Sequence, residues 1–168
     1  VLINGSSGGG KTTLAIALGA DLGLPHFELD ALFHGAEWTR RPEFLDDVRD
    51  LAAQDSWITE WQYTDARPLL LDRCDLIVWL DTPRPVAMWR VIRRTLRRRF
   101  RREALWNGNI EGPLSHIFTD PDHIIRWAWS SHPRAAERIA DVLAGHPDLP
   151  IVRLRGRREC ATWRAGLR

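Results

Sequence analysis

A three-layer α/β fold, with a five-stranded parallel sheet carrying helices on both faces, is what this 168-residue sequence predicts. Three observations lead there. Short apolar runs alternate with helical patterns along the whole chain, the arrangement that strand–helix–strand crossovers and a doubly covered parallel sheet require. The first apolar run, Val1-Leu2-Ile3, passes through a glycine-rich loop straight into a second apolar segment, Leu14 to Leu18. At 44% hydrophobic and 27% charged, without internal repeats or low-complexity tracts, residues 1–168 suit one ordinary domain with a real core.

The elements follow in order. Val1-Leu2-Ile3 predicts a buried strand, and Leu14-Ala15-Ile16-Ala17-Leu18 a buried helix face. A turn at Gly23-Leu24-Pro25 leads into a second strand, Pro25 to Leu29. Pro42 to Ala53 reads as a helix with Phe44, Leu45, Val48, Leu51 and Ala52 on one face. Trp57-Ile58-Thr59 makes a third strand, and Asp75 to Leu80 a strongly apolar fourth. A basic helix follows from about Pro85 to Phe100. Ile124 to Ala144 is helical, Pro150 to Leu154 is the fifth strand, and Cys160 to Leu167 a short closing helix. Between them Arg101 to Asp122 breaks the pattern, with Gly108, Gly112, Pro113 and Pro121 and little periodicity. A connection of that length is usually functional, and it reads as part of an arginine-rich lid over about 94–125.

The glycine-rich loop carries the chemistry. Glycine costs about 0.5–1 kcal/mol relative to alanine in a regular element, yet Gly5, Gly8, Gly9 and Gly10 fall within six positions. The stretch Gly5-Ser6-Ser7-Gly8-Gly9-Gly10-Lys11-Thr12 fits G-x-x-x-x-G-K-[ST], placed between a strand and a helix as a phosphate cradle requires. Glycines let successive N–H groups turn inward, and the helix start adds the positive end of its dipole. The loop is expected to bind ATP through Gly5, Gly8, Gly9, Gly10, Lys11, Thr12 and Thr13. Lys11 would reach the β- and γ-phosphates, and the Thr12 hydroxyl would ligate Mg²⁺.

Other classes are set aside by what the chain lacks. There is no N-K-x-D stretch for guanine, and a large oligomeric ATPase would need more chain. Cys74 and Cys160 form no metal or disulfide pattern, which suits a reducing, cytoplasmic setting. No apolar run is long enough to span a bilayer, and no signal peptide is visible. The first strand begins at residue 1 without an initiator Met, so a few residues are expected to precede it. Monomer and dimer both stay open. The net charge of +2 is unevenly spread, with acids prevailing from His26 to Asp65 and arginines from Arg84 to Arg102.

Beyond the loop the sequence resembles the nucleoside and nucleotide kinases, adenylate kinase included. Leu80-Asp81-Thr82-Pro83 followed by Arg90 and Arg94 is similar to that group's L-D-x-P and R-x-x-x-R pattern. On that resemblance Asp81 holds the Mg²⁺ water shell, Arg90 lies near the adenine and Arg94 on the transferring phosphates. The chain also resembles the bacterial DNA topology modulation proteins, which are adenylate-kinase-like. That likeness runs through E-L-D-A-L-F-H, G-A-E-W-T-R-R-P, V-W-L-D-T-P, R-R-T-L-R-R and E-A-L-W-N-G-N-I-E. It implies an ATP-dependent phosphotransferase without naming its acceptor. Related kinases carry an Asp-Gly-Asn-Tyr-like turn after the third strand, where this chain reads Glu60-Trp61-Gln62-Tyr63. A tryptophan in that turn is expected to fill space beside the acceptor.

The residues support part of this independently. Phosphoryl transfer needs cations and a metal more than an elaborate nucleophile. Arg90, Arg94 and Arg98 fall at i, i+4 and i+8 on one helical face, and guanidinium forks pair with phosphate oxygens. Arg93, Arg97 and Arg101 form an adjacent stripe. Asp30, expected to close the second strand at the carboxyl edge of the sheet, is the candidate base or acceptor anchor unless it merely caps a helix. Glu28 is a weaker candidate. Of the nine tryptophans, Trp79 and Trp89 are expected in the core, with Trp38 and Trp61 flanking the acceptor. His34, His116, His123 and His132 show no zinc spacing. The expected partners are ATP and a small-molecule acceptor, with no membrane. A rival reading, less favoured, is a nucleotide-dependent regulator that binds nucleic acid through Arg84–Arg102.

Overall fold

The computed structural model describes residues 1–110, 112–113, 116–120 and 123–167. Five parallel strands, β1 (Leu2–Gly5), β2 (His26–Phe27), β3 (Ile58–Glu60), β4 (Ile77–Leu80) and β5 (Ile151–Leu154), form one sheet in the order β2-β3-β1-β4-β5. The central strand is in register with both neighbours, Leu2 opposite Thr59 and Ile77, and Gly5 opposite Leu80. The strand order reverses direction beside β1, so the loop after β1 sits at the switch point where open α/β sheets bind ligands.

Nine α-helices surround the sheet among the described residues: α1 (Lys11–Leu22), α2 (Leu29–Phe33), α3 (Phe44–Ala52), α4 (Ala66–Leu71), α5 (Arg84–Arg101), α6 (His116–Thr119), α7 (Ile124–Ser131), α8 (Arg134–Gly145) and α9 (Arg157–Ala165). The strands alternate their side chains between two cores. Ile3, Ile58, Val78 and Leu80 pack on Leu14, Ala15 and Leu18 of α1, with Trp163 of α9 beside them. Leu2 and Ile77 pack on the opposite side against Phe44, Val48, Leu70, Ile139 and Val142 of α3, α4 and α8. A third, small cluster joins α5 and α7 through Met88, Val91 and Ala128.

Several elements differ from the sequence reading. The second strand ends at Phe27, because Leu29 starts α2 and is drawn fully into the core; Asp30 therefore sits in the first turn of a helix. The third strand reaches Glu60, one residue further than expected. The single helix expected over Ile124–Ala144 is two, interrupted at Pro133, which has no N–H with which to continue the ladder. The short α4 adds to the expected elements; Pro68 within it masks the helical pattern. Trp89, expected in the core, is 63% exposed, while Trp79 is half-buried against the α8-side core. Of the expected lid, α5 extends to Arg101 and a short 3-10 turn lies at Trp106–Gly108; a second such turn lies outside it, at Ala36–Trp38. Pro121 and Asp122, expected within it, lie outside the described residues, as does Glu111.

Candidate active site

The loop between β1 and α1 owes its glycines partly to its own chain. Gly8 and Gly10 have φ of 75° and 99°, a region that favours glycine. A Cβ on Gly8 would lie 2.3 Å from the carbonyl oxygen of Ala87, so α5 backs directly onto the loop. Arg90 Nη1 donates to the carbonyls of Gly8 and Gly9, each at 3.3 Å. The Thr82 hydroxyl donates to the Gly9 carbonyl at 3.1 Å, and His132 Nε2 lies 3.0 Å from the Thr82 carbonyl. With its carbonyls held from behind, the loop can offer its N–H groups on the other side. The first-turn N–H groups of a helix have no partner within it, and no side chain caps α1. Those of Lys11, Thr12 and Thr13 thus form the anion-attracting end of the loop.

Lys11 is the centre of the charge pattern. Its Nζ lies 3.4 Å from the Ser6 carbonyl. Burial pulls its ammonium below the ordinary lysine range, the carboxylates of Asp30 and Glu60 push back, and Arg138 and Arg94 pull it down further. Those four side chains come from α2, β3, α8 and α5, so the fold brings Lys11, Asp30 and Arg94 to one edge of the sheet as the sequence suggested. Glu60 and Arg138 join them from positions that sequence reasoning missed.

Glu60 is 1% exposed and follows Ile58 by two, so it shares the sheet face covered by α1. Burial pushes its carboxyl up, but His26, the Thr12 hydroxyl and the charge of His26 outweigh this and hold it below the usual carboxylate value. His26 Nε2 stands 3.4 Å away, and neither Glu60 oxygen has a partner at full hydrogen-bonding geometry. A buried, ionised carboxylate beside a threonine hydroxyl and short of donors has the make-up of a cation site. Mg²⁺ fits the donor set of Thr12 and Glu60. It does not need the three clustered His, Cys, Asp or Glu ligands that are absent among the described residues.

Asp81, expected at the metal, lies on a different sheet face from Glu60. It shares the parity of Ile77 and Trp79, and so belongs to the sheet face opposite α1. Its Oδ2 accepts from Arg153 Nη2 at 2.5 Å and Nε at 3.0 Å, and that guanidinium lies over Trp79. Asp30 accepts at Oδ1 from Gln62 Nε2 at 2.7 Å and from the Tyr63 hydroxyl at 2.5 Å. Trp61 is 4% exposed in the α8-side core, its indole N–H donating to the Arg67 carbonyl at 3.1 Å. Glu28 is half-buried directly before α2.

The arginine helix separates its two stripes. Arg90, Arg94 and Arg98 are half-buried, whereas Arg93, Arg97 and Arg101 are exposed. Arg98 lies 5.9 Å from the Trp106 ring centroid. A further arginine group centres on Arg138, whose charge also reaches Lys11. Arg138 donates from Nε and Nη2 to the buried Asn4 Oδ1 at 3.2 and 3.0 Å. Burial and the charges of Arg67 and Arg134 lower its pKa to about 10. Arg67 donates to the Thr64 hydroxyl, and Arg134 lies over the Trp127 ring.

No family model and no curated protein matches the chain. Among solved structures it is similar to a gluconokinase from Sinorhizobium meliloti 1021, at 18% identity over 99% of this chain and 91% of that one, with a TM-score of 0.53. It is likewise similar to a shikimate kinase from Bacteroides thetaiotaomicron, at 15% identity over 99% and 94% of the two chains, TM-score 0.51. At these identities the likeness is one of fold. The chain has the sheet order and fold of the P-loop small-molecule kinases. No described helix is long and apolar enough to cross a membrane.

Proposed function

We propose that the chain is an ATP- and Mg²⁺-dependent phosphotransferase acting on a hydroxyl of a small molecule. The observation that carries this is the convergence of Lys11, Thr12, Glu60, Asp30 and Arg94 at the switch point of the sheet. Thr12 and Glu60 would hold the magnesium, which supplies charge neutralisation on the phosphates when bound. Lys11 and the open N–H groups bind the phosphate chain, and Arg94 stabilises charge on the moving phosphoryl group. Asp30 orients the acceptor hydroxyl and takes its proton as the new P–O bond forms and the bond from the γ-phosphorus to the β,γ-bridging oxygen breaks, ADP leaving. Arg90, bonded to loop carbonyls, shapes the cradle from behind.

The acceptor side also favours a class of molecule. The charge of Arg138 reaches Lys11, and those of Arg67 and Arg134 reach Arg138; their side chains meet Thr64, the Trp127 ring and Asn4, with the acids Asp65 and Glu137 near by. A cationic group of this kind suits an acceptor bearing a carboxylate or phosphate. The test is ATP consumption, with and without Mg²⁺, across hydroxy acids, sugar acids, nucleoside monophosphates and neutral sugars or nucleosides. Mg²⁺-dependent turnover stimulated by an anionic acceptor is expected. Stimulation by neutral acceptors alone would remove the acceptor class, and no Mg²⁺-dependent turnover with any of them would remove the kinase reading.

A further inference from the structure

Two loops distant in sequence close on each other beside Asp30. Residues 34–40 and 104–110 are turns of one kind, each pinched by a single antiparallel bridge, His34 with Arg40 and Ala104 with Ile110. Each turns over left-handed residues, Glu37 and Trp38 in the first, Asn107 and Gly108 in the second. Asn109, only 5% exposed, joins them. Its Oδ1 accepts from the Trp38 amide at 3.0 Å, and its Nδ2 donates to the carbonyls of Gly35 and Trp106, both at 2.8 Å. Asn107 Nδ2 donates to the His34 carbonyl, and the Trp38 indole N–H to the Ile110 carbonyl at 3.3 Å. Side-chain amides thus satisfy backbone groups that tight turns leave over.

His34 stands where this clasp meets the site. Its ring stacks on Trp106 at 5.7 Å and meets Trp38 edge-on at 5.1 Å. Its Nε2 is 3.3 Å from the Tyr63 hydroxyl. That hydroxyl gives its proton to Asp30 Oδ1, so Nε2 must be the donor in the pair. Burial lowers the His34 pKa, partly offset by the charge of Asp30, which favours the neutral ring with its proton on Nε2. Tyr63 itself has a φ of 59°, a costly conformation for a tyrosine. Trp106 from one loop and Asp30 in the site are therefore linked by two side chains, His34 and Tyr63.

We propose that His34 and Tyr63 are positioning residues that make the setting of Asp30 depend on the docking of loop 104–110 onto loop 34–40. When Asn109 and Trp106 seat His34, His34 seats the Tyr63 hydroxyl, and Tyr63 with Gln62 fixes one oxygen of Asp30. The other oxygen is then left for an acceptor. The arrangement makes Asp30 ready only beneath a closed loop, the state that excludes water during transfer. The consequence for transfer rests on the reading of Asp30 as the acceptor-side carboxylate; the coupling between loop and Asp30 does not.

Amide hydrogen exchange on the full chain, followed by NMR, tests the coupling without an acceptor. Tyr63→Phe removes one hydroxyl and no bond between the loops. It is expected to speed exchange of the Trp38 and Leu105 amides roughly 3–10-fold, the size of one hydrogen bond passed along the chain of contacts. His34→Phe keeps a ring for stacking and loses Nε2, and should match it. Asn109→Ala, at the far end, should shift the Gln62 side-chain amide signals. Unchanged exchange in both ring variants, with unmoved Gln62 signals in Asn109→Ala, would overturn the proposal. Hydrolysis of Mg·ATP by water, measured on the same variants, is expected to change with the exchange. Faster exchange with wild-type hydrolysis would keep the coupling and remove the role given to Asp30.

Discussion

β3 and β4 flank β1 on either side, and each delivers one carboxylate at its end: Glu60 on β3, Asp81 directly after β4. Their fates differ because of parity. Glu60 follows the buried Ile58 by two and lands on the α1 face, beside Thr12 and Lys11. Asp81 follows Ile77 and Trp79 and lands on the other face, where Arg153 of the neighbouring strand takes it. One is buried without full hydrogen-bond partners; the other is a half-exposed, satisfied ion pair. A side chain's neighbours in a sheet follow from whether its offset is odd or even, which a motif match does not count.

Two substitutions probe the β3 side most strongly. Lys11→Ala should lower Mg·ATP turnover by roughly 10²–10³, comparable to losing one preorganised donor to transition-state charge. Its thermal midpoint should stay near wild type, because burial already disfavours the Lys11 charge. Wild-type-like turnover in this variant would remove the kinase reading. Glu60→Gln keeps the shape and removes the charge. Half-saturating Mg²⁺ should rise about a hundredfold, at the upper end of what groups around a metal usually contribute, while nucleotide binding in EDTA stays within about twofold of wild type. Equal losses with and without metal would make Glu60 structural.

How much of this was legible follows the same line. The glycine loop, the existence of five strands and the shared face of Arg90, Arg94 and Arg98 could be read because each is a local pattern on one element, whereas the order β2-β3-β1-β4-β5 depends on pairings between elements. Glu60 was within reach: extending the third strand by one residue and counting from Ile58 places it under α1. Placing it in the turn hid that. Arg138 was not within reach, because its value lies in a contact with Asn4 across 134 positions. Nor was the inward turn of Trp61, since the sequence shows a bulky residue in a turn and not the core on which it packs. From the sequence alone the glycines make room for a ligand. At Gly8 the first neighbour is Ala87 of the protein's own helix.

The arginine helix carries the comparison into α5. Arg94 is half-buried and its charge reaches Lys11, whereas Arg93 is exposed on the next stripe. Arg94→Ala should reduce kcat roughly tenfold or more, the loss expected of one charge-assisted bond made in the transition state. Arg93→Ala should leave kcat within about twofold. If the helix instead served a nucleic acid, both changes would weaken duplex binding alike and lower the salt slope by about one unit each. Measuring turnover and a salt-titrated duplex affinity on the same pair decides between these outcomes.

Asp81→Asn is the smallest expected effect and the sharpest test of parity. Asp81 and Arg153 are both partly exposed, and pairs of that kind contribute about 0–1 kcal/mol in water. The asparagine can still accept from Arg153, so even that contribution is only partly lost. Turnover at saturating Mg²⁺ should stay within about twofold of wild type, and the Mg²⁺ requirement should not move. Raising salt should narrow any stability difference between the two proteins, since it screens the charge that only one of them carries. A rise in half-saturating Mg²⁺ as large as that for Glu60→Gln would return the metal role to Asp81. It would also mean that the end of β4 turns its carboxylate toward α1 when nucleotide is bound, leaving Arg153 over Trp79 without it.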